Sequence, residues 1–251
     1  MFLQLKPLYS LLSLVGLFLF LTGSSQAQQP ASIAFACELP SEDISTYWNS
    51  STFSLAGQLH KQLNTSIVIG TVDLSKERAW LVQQLNALDI PVTVWLLLAK
   101  EDGYWMNLDN YEQAAARYNL VKQWIQQNNL SVMSIGFDIE LDMQNVIEFK
   151  NHSYLLLLES VVKRFGEERL QKGRAAIQKL AKQVKDDGYL LQTYVLPIIY
   201  DERIANSTFI QRLLGTVDLV DYVDVEAPML YSTSRLTNSL SLSLSLSPCL
   251  R

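Results

Sequence analysis

Ser134-Ile135-Gly136-Phe137-Asp138-Ile139-Glu140-Leu141-Asp142 is the stretch on which the reading of the chain turns. A strand alternates its side chains with period two, so Asp138, Glu140 and Asp142 share one face and Phe137, Ile139 and Leu141 the other. Three acids on one side of an otherwise apolar strand cannot face a packed core without a heavy desolvation cost. Their face therefore implies a polar cavity or a metal, unless they run past the strand end into solvent. Crowded like charges raise at least one pKa, and a carboxyl kept protonated near neutral pH is what a general acid requires. A calcium or magnesium site is the alternative, although the spacing is not that of an EF-hand loop.

Outward from this stretch, apolar β-branched runs alternate with helical patterns. The strands expected are 31–37, 66–72, 91–98, 132–141, 189–199 and 221–231. The helices expected are 53–63, 76–88, 110–127, 154–187 (two, broken near Phe165-Gly166) and 205–214. In 110–127 the spacing of Tyr111, Ala115, Tyr118, Val121 and Ile125 marks the buried stripe, and Asp109 with Glu112 suits a capping box. Gly188 and Gly215 sit where a helix needs a left-handed end. Alternation at this interval is the pattern of βα units around a parallel sheet, whose strands are buried on both faces. No Gly-rich phosphate loop follows the first strand, which disfavours a doubly wound dinucleotide fold. Acids cluster after the strands instead: Glu38, Asp73, Glu101-Asp102, Asp138/Glu140/Asp142, Asp201-Glu202 and Glu226. A (β/α)8 TIM-type barrel gathers the carboxyl ends of its strands into one mouth. The expected fold is therefore such a barrel, truncated after about six strands.

The ends read differently. Residues 1–27 carry Lys6, an apolar run from Leu8 to Leu21 and Ser25-Gln26-Ala27, the signature of a secretory signal cleaved after Ala27. The run is too short to span a bilayer, which needs roughly 20 residues. No stable membrane insertion is expected after cleavage, and the localisation expected is secreted or periplasmic. Residues 237–251 alternate Ser and Leu, as a translated dinucleotide repeat would, leaving 28–236 as the barrel domain. The formal charge of −5, from 20 basic and 25 acidic residues, disfavours nucleic-acid binding, which needs a basic face. Two histidines leave little for a His-based metal site, and no G-x-S-x-G nucleophile elbow is present. Neither metal nor cofactor is expected, and the state expected is a monomer. Five N-x-S/T sequons, at Asn49, Asn64, Asn129, Asn151 and Asn206, suit an extracellular surface without requiring one.

Gly136-Phe137-Asp138-Ile139-Glu140-Leu141-Asp142 resembles the fourth-strand signature D-G-x-D-x-D-x-E of family 18 chitinases and related barrel glycosidases. Met229-Leu230-Tyr231 is similar to that family's M-x-Y motif on its sixth strand. The resemblance implies a TIM barrel whose terminal Glu protonates the glycosidic oxygen, whose preceding Asp steers the substrate acetamido group, and whose Tyr helps to hold it. The match is divergent: Asp142 stands at the terminal Glu position, Glu140 at the Asp before it, Ile135 at the first Asp, and Ser232 follows Tyr231. Trp95-Leu96-Leu97-Leu98 replaces the third-strand S-x-G-G.

Glu140, the longest carboxylate of the group, is the expected proton donor, flanked by Asp138 and Asp142. Glu226 is the candidate second carboxylate, acting as nucleophile or base unless an Arg or Lys holds it at the rim. Tyr231, Met229, Trp105, Tyr104, Asp73 and Glu38 are the expected substrate-binding residues, since aromatic rings beside carboxylates suit sugar faces and hydroxyl edges. Trp95 reads as core. The expected function is a secreted, chitinase-like glycoside hydrolase that cleaves a polysaccharide or glycoconjugate, the carbohydrate being its one expected partner. A non-catalytic carbohydrate-binding barrel, an inactive truncated fragment and a metal-dependent hydrolase are the alternatives.

Overall fold

The computed structural model describes residues 16–19, 33–141 and 165–229. Asp142, Leu230, Tyr231, Asn151, the expected cleavage point and the Ser/Leu segment lie outside them. Among the described residues the sheet has seven strands in chain order: β1 (Gly16–Leu19), β2 (Ile33–Cys37), β3 (Ser66–Gly70), β4 (Val92–Leu96), β5 (Ser134–Asp138), β6 (Leu190–Val195) and β7 (Val225–Pro228). β2 to β7 are all parallel, each beside its predecessor, and curl into a half-barrel flanked by helices. β1, inside the segment read as a signal, pairs antiparallel with β2. The six expected strands correspond to β2–β7, each shorter than its apolar run.

The helices are α1 (Ser41–Tyr47), α2 (Ser50–Leu63), α3 (Lys76–Ala87), α4 (Tyr111–Gln127), α5 (Glu167–Asp186), α6 (Ile198–Ile204) and α7 (Phe209–Leu214). Two of these were not expected from sequence. α1 opens after Pro40 with Glu42 and Asp43 in its first turn, where acids favour the helix dipole. α6 follows Pro197, which stands at its cap position; the segment reads as strand because the β-branched Ile198 and Ile199 prolong the apolar run across the break that Pro signals. Asp109 does not cap α4. Its carboxylate takes two hydrogen bonds from Arg169, and Asn110 stands at the cap position. Gly188 and Gly215 do end their segments at positive φ, 90° and 71°.

The two faces of the sheet are different. Ile67, Ile69, Val92, Val94, Leu96, Ile135, Phe137 and Leu191 meet the buried stripes of α3, α4 and α5 in one large outer core. Ala34, Val68, Tyr194, Ala227 and Met229 form a small inner cluster, with Trp95 packed against it. Below Trp95 a polar ladder joins β4, β5 and β6: Thr93 and Ser134 share a 2.6 Å hydrogen bond, and Gln192 Nε2 donates to both.

α5 packs closely because Gly173 has no side chain. A Cβ there would stand 2.7 Å from Leu108 Cδ2 and 2.8 Å from the Leu108 carbonyl oxygen. That backbone is pinned by Leu108 N–H donating to Gly215 O at 2.7 Å. Alanine would gain about 1 kcal/mol of helix propensity, but overpacking against backbone costs about 1–3 kcal/mol. Gly173→Ala is therefore expected to lower the urea midpoint, with no change in the slope of the transition.

Candidate functional site

The site is built on one row across the sheet. β2 and β3 pair Cys37 with Ile69, so Glu38 continues beside Gly70; Gly70 pairs with Trp95, and Trp95 with Gly136. Two glycines in this row leave room for their neighbours. A Cβ at Gly70 would lie 3.2 Å from Glu38 Cγ, so the glutamate leans over β3 toward the inner face. A Cβ at Gly136 would lie 2.9 Å from the Tyr194 ring and hydroxyl, so that ring lies across β5. Tyr194 in turn meets Trp95 edge-on at 5.9 Å.

Asp138 ends β5 above this row and is 3% exposed, whereas Glu140, two residues on, is only half-buried. The two side chains share a hydrogen bond. Two carboxyl groups can bond only if one keeps its proton, so the pair titrates as a unit. Burial pushes Asp138 well above the usual carboxylate range, reinforced by the charge of Glu140, that hydrogen bond and Glu38. Burial raises Glu140 too, against the lowering effect of its bond with Asp138. The indole of Trp95 favours the charged form of Asp138, yet stops short of hydrogen-bond geometry. Asp138 Oδ1 and Trp95 Nε1 are thus both buried without a hydrogen-bond partner among the described residues. Native structures rarely leave such atoms unmatched, and a ligand or water is the usual partner.

The loop after β4 closes over the pair. Met106 N–H donates to Asp138 O at 3.0 Å and Glu140 N–H to Met106 O at 3.1 Å, extending β5 by a bridge. Gly103 at φ 99° and Tyr104 at φ 67° turn the loop inward. The turn carries the Tyr104 ring to full burial, and its hydroxyl donates to Glu38 Oε1. Asn110 holds the loop from behind, accepting from Asn107 N–H and donating to the Asp102 and Trp105 carbonyls. Burial raises Glu38, opposed by the Tyr104 hydrogen bond and by the charges of Arg78 and Lys100.

Two arginines brace the strand ends from outside. Arg78, fully buried, donates to Gly70 O and Leu39 O, each at 2.7 Å, and to both oxygens of Asp73. Arg117 donates to Leu97 O and Thr71 O. Neither is signalled by a motif; a cation on an otherwise apolar helix stripe, as Arg78 is on α3, is the one cue.

The expected site residues divide. Asp138, Glu140, Glu38 and Tyr104 come together; Trp105 is half-buried and meets Tyr104 edge-on at 5.6 Å. Met229 lies in the inner apolar cluster. Asp73 does not join them: besides Arg78, it accepts from Ser41 and Ser75 outside the mouth. Glu226 pairs in register with Thr193 and so with Phe137, on the outer face. There Arg203 holds it at 2.7 Å together with Asp218, the rim arrangement weighed against its catalytic role. Trp95, read as core, does pack against the inner cluster, and its indole also stands beside Asp138. Asp142 and Tyr231 lie outside the described residues. Among those residues no three His, Cys, Asp or Glu side chains are grouped to hold a metal ion.

No family model matches the chain, and no curated protein matches it. What the site can do therefore rests on its own geometry.

Proposed function

We propose that the protein is a glycoside hydrolase of the (β/α)8 TIM-barrel type, secreted, that cleaves a polysaccharide or glycoconjugate by carboxylate acid catalysis. The observation that carries this reading is the Asp138–Glu140 pair, the first buried and the second half-buried, sharing a hydrogen bond at the carboxyl end of a parallel strand. That is the end where barrel enzymes place their chemistry. Glu140, the more exposed member, delivers the proton to the glycosidic oxygen, and Asp138 holds it in reserve. The resemblance of 136–142 to the chitinase-type strand supports the same assignment. Trp95 and Trp105, both half-buried, supply aromatic surface for sugar faces. Among the described residues no helix is long and apolar enough to cross a membrane.

The test uses 4-methylumbelliferyl and 2,4-dinitrophenyl glycosides of common sugars in both anomeric forms. Glu140→Gln is expected to lose about 100-fold in kcat/KM on the poorer leaving group. The loss should be much smaller on dinitrophenol, which departs without protonation. Equal activity of the variant and the wild type on both would refute acid catalysis from Glu140. Sugar binding by a wild type that turns over none of them would favour the carbohydrate-binding barrel.

A further inference from the structure

A glycosidic bond is hydrolysed by two carboxyl groups, one protonating the leaving oxygen and one activating water or attacking carbon. The Asp138–Glu140 pair supplies the first. Of the other described carboxylates expected as site residues, Glu226 is held on the outer face by Arg203 and Asp73 outside by Arg78. Glu38 remains. It stands three strands away from Asp138, at the carboxyl end of β2, inclined over Gly70 toward the same inner face. On the intervening β4 Trp95 Nε1 is unmatched, as is Oδ1 of Asp138 itself, two buried polar atoms that a ligand or water would match.

We propose that Glu38, held by the phenol of Tyr104, is the second carboxylate of the site, taking the proton from the water that attacks the anomeric carbon. The assignment rests on the glycosidase reading. In the step, a water oxygen bonds to the anomeric carbon as that carbon's bond to the leaving oxygen breaks. The water proton goes to Glu38, the leaving oxygen takes the proton of the Asp138–Glu140 pair, and nothing else is consumed. Afterwards Glu38 returns its proton to the pair through solvent.

The surroundings divide the roles in the required sense. Asp138 faces two other acids, Glu140 and Glu38, which favour its protonated form. Glu38 faces a phenol donor and two cations, Arg78 and Lys100, which favour its charged form against the pull of burial. Burial raises both, Asp138 the further, and that difference ranks Asp138 on the acid side and Glu38 as the base. Tyr104 is a positioning residue, acting through Glu38, and its left-handed backbone is tolerated where the ring is needed.

The experiment uses the full chain and the same aryl glycosides. Glu38→Gln is expected to lose at least about 100-fold in kcat/KM on every sugar that the wild type hydrolyses. Its loss should be as large on dinitrophenyl as on methylumbelliferyl leaving groups, unlike that of Glu140→Gln. Sodium azide should restore turnover to Glu38→Ala, with a glycosyl azide as product. Tyr104→Phe, which keeps the buried ring, should move the acid limb of the kcat/KM profile to higher pH; this readout stands in if neither Glu38 variant folds. Glu38→Gln within a few-fold of wild type, or an unmoved acid limb in Tyr104→Phe, would overturn the inference while leaving the acid pair intact. A wild type inactive on the whole panel would overturn the glycosidase reading and this inference with it.

Discussion

Arg78→Met is expected to cost about 3–5 kcal/mol of folding stability, out of a total of about 5–15 kcal/mol for an ordinary domain. Methionine keeps much of the volume, so the loss isolates the guanidinium. Three acceptors lose their donor: Leu39 O, Gly70 O and the Asp73 carboxylate. The two carbonyls are the expensive ones, at about 1–3 kcal/mol for each buried acceptor left unsatisfied. Asp73, whose side chain is 40% exposed, can turn to water, so the ion pair itself contributes little. Burial alone would raise Asp73, but hydrogen bonds from Arg78, Ser41 and Ser75 outweigh it and hold the carboxyl well below the usual range. A depressed carboxyl adds stability above its unfolded pKa of about 4 and loses it as pH falls toward the native value. The wild type should therefore lose more stability than Arg78→Met between pH 5 and pH 3, as urea midpoints at several pH values will show. Equal midpoints of the two proteins at pH 7 would refute the bracing role. Because Leu39 O and Gly70 O flank the point where Glu38 leaves the sheet, the same substitution should loosen the site.

The fold was legible because burial on both sides writes a strand as an unbroken apolar run, and all six parallel strands carry one. Their ends were less so. Val195 closes β6, yet Ile198 and Ile199 prolong the β-branched run into α6. Period two correctly set Asp138 and Glu140 together, because the bridge from Met106 to Ile139 carries strand geometry past Asp138. It could not say which way β7 faces. Glu226 sits two residues into a four-residue strand, and only the register with Thr193 puts it outside. Gly70 and Gly136 were silent for a related reason. A glycine in a strand reads as weakness, and its use as room for Glu38 and Tyr194 exists only once neighbouring strands are in register. Tyr104 was legible as a type beside acids, but its hydrogen bond to Glu38 spans 66 residues of sequence.

Asp138→Asn should separate activity from stability more sharply than any other change in the molecule. The amide is isosteric, and the residue, only 3% exposed, keeps the same packing around it. What disappears is the proton that the pair shares. Glu140 then has no carboxyl to exchange with, and the amide offers a fixed donor in place of a titrating one. Activity on methylumbelliferyl glycosides is expected to fall by about 100-fold, no further than when the donor Glu140 itself is removed. Stability should move the other way. Burial, with Glu140 and Glu38 nearby, raises Asp138 above its unfolded value of about 4, so between that value and the raised one the folded state binds more protons than the unfolded. Wild-type stability must then fall as pH rises through that interval, the penalty being complete above the native pKa. Asparagine cannot ionise, so the variant escapes the part of this penalty that belongs to Asp138. Melting temperatures from pH 4 to pH 9 should decline less steeply in Asp138→Asn than in wild type, with the variant the more stable at the alkaline end. Parallel curves would mean that Asp138 is not held protonated by the fold, and the acid role of the pair would lose its physical basis.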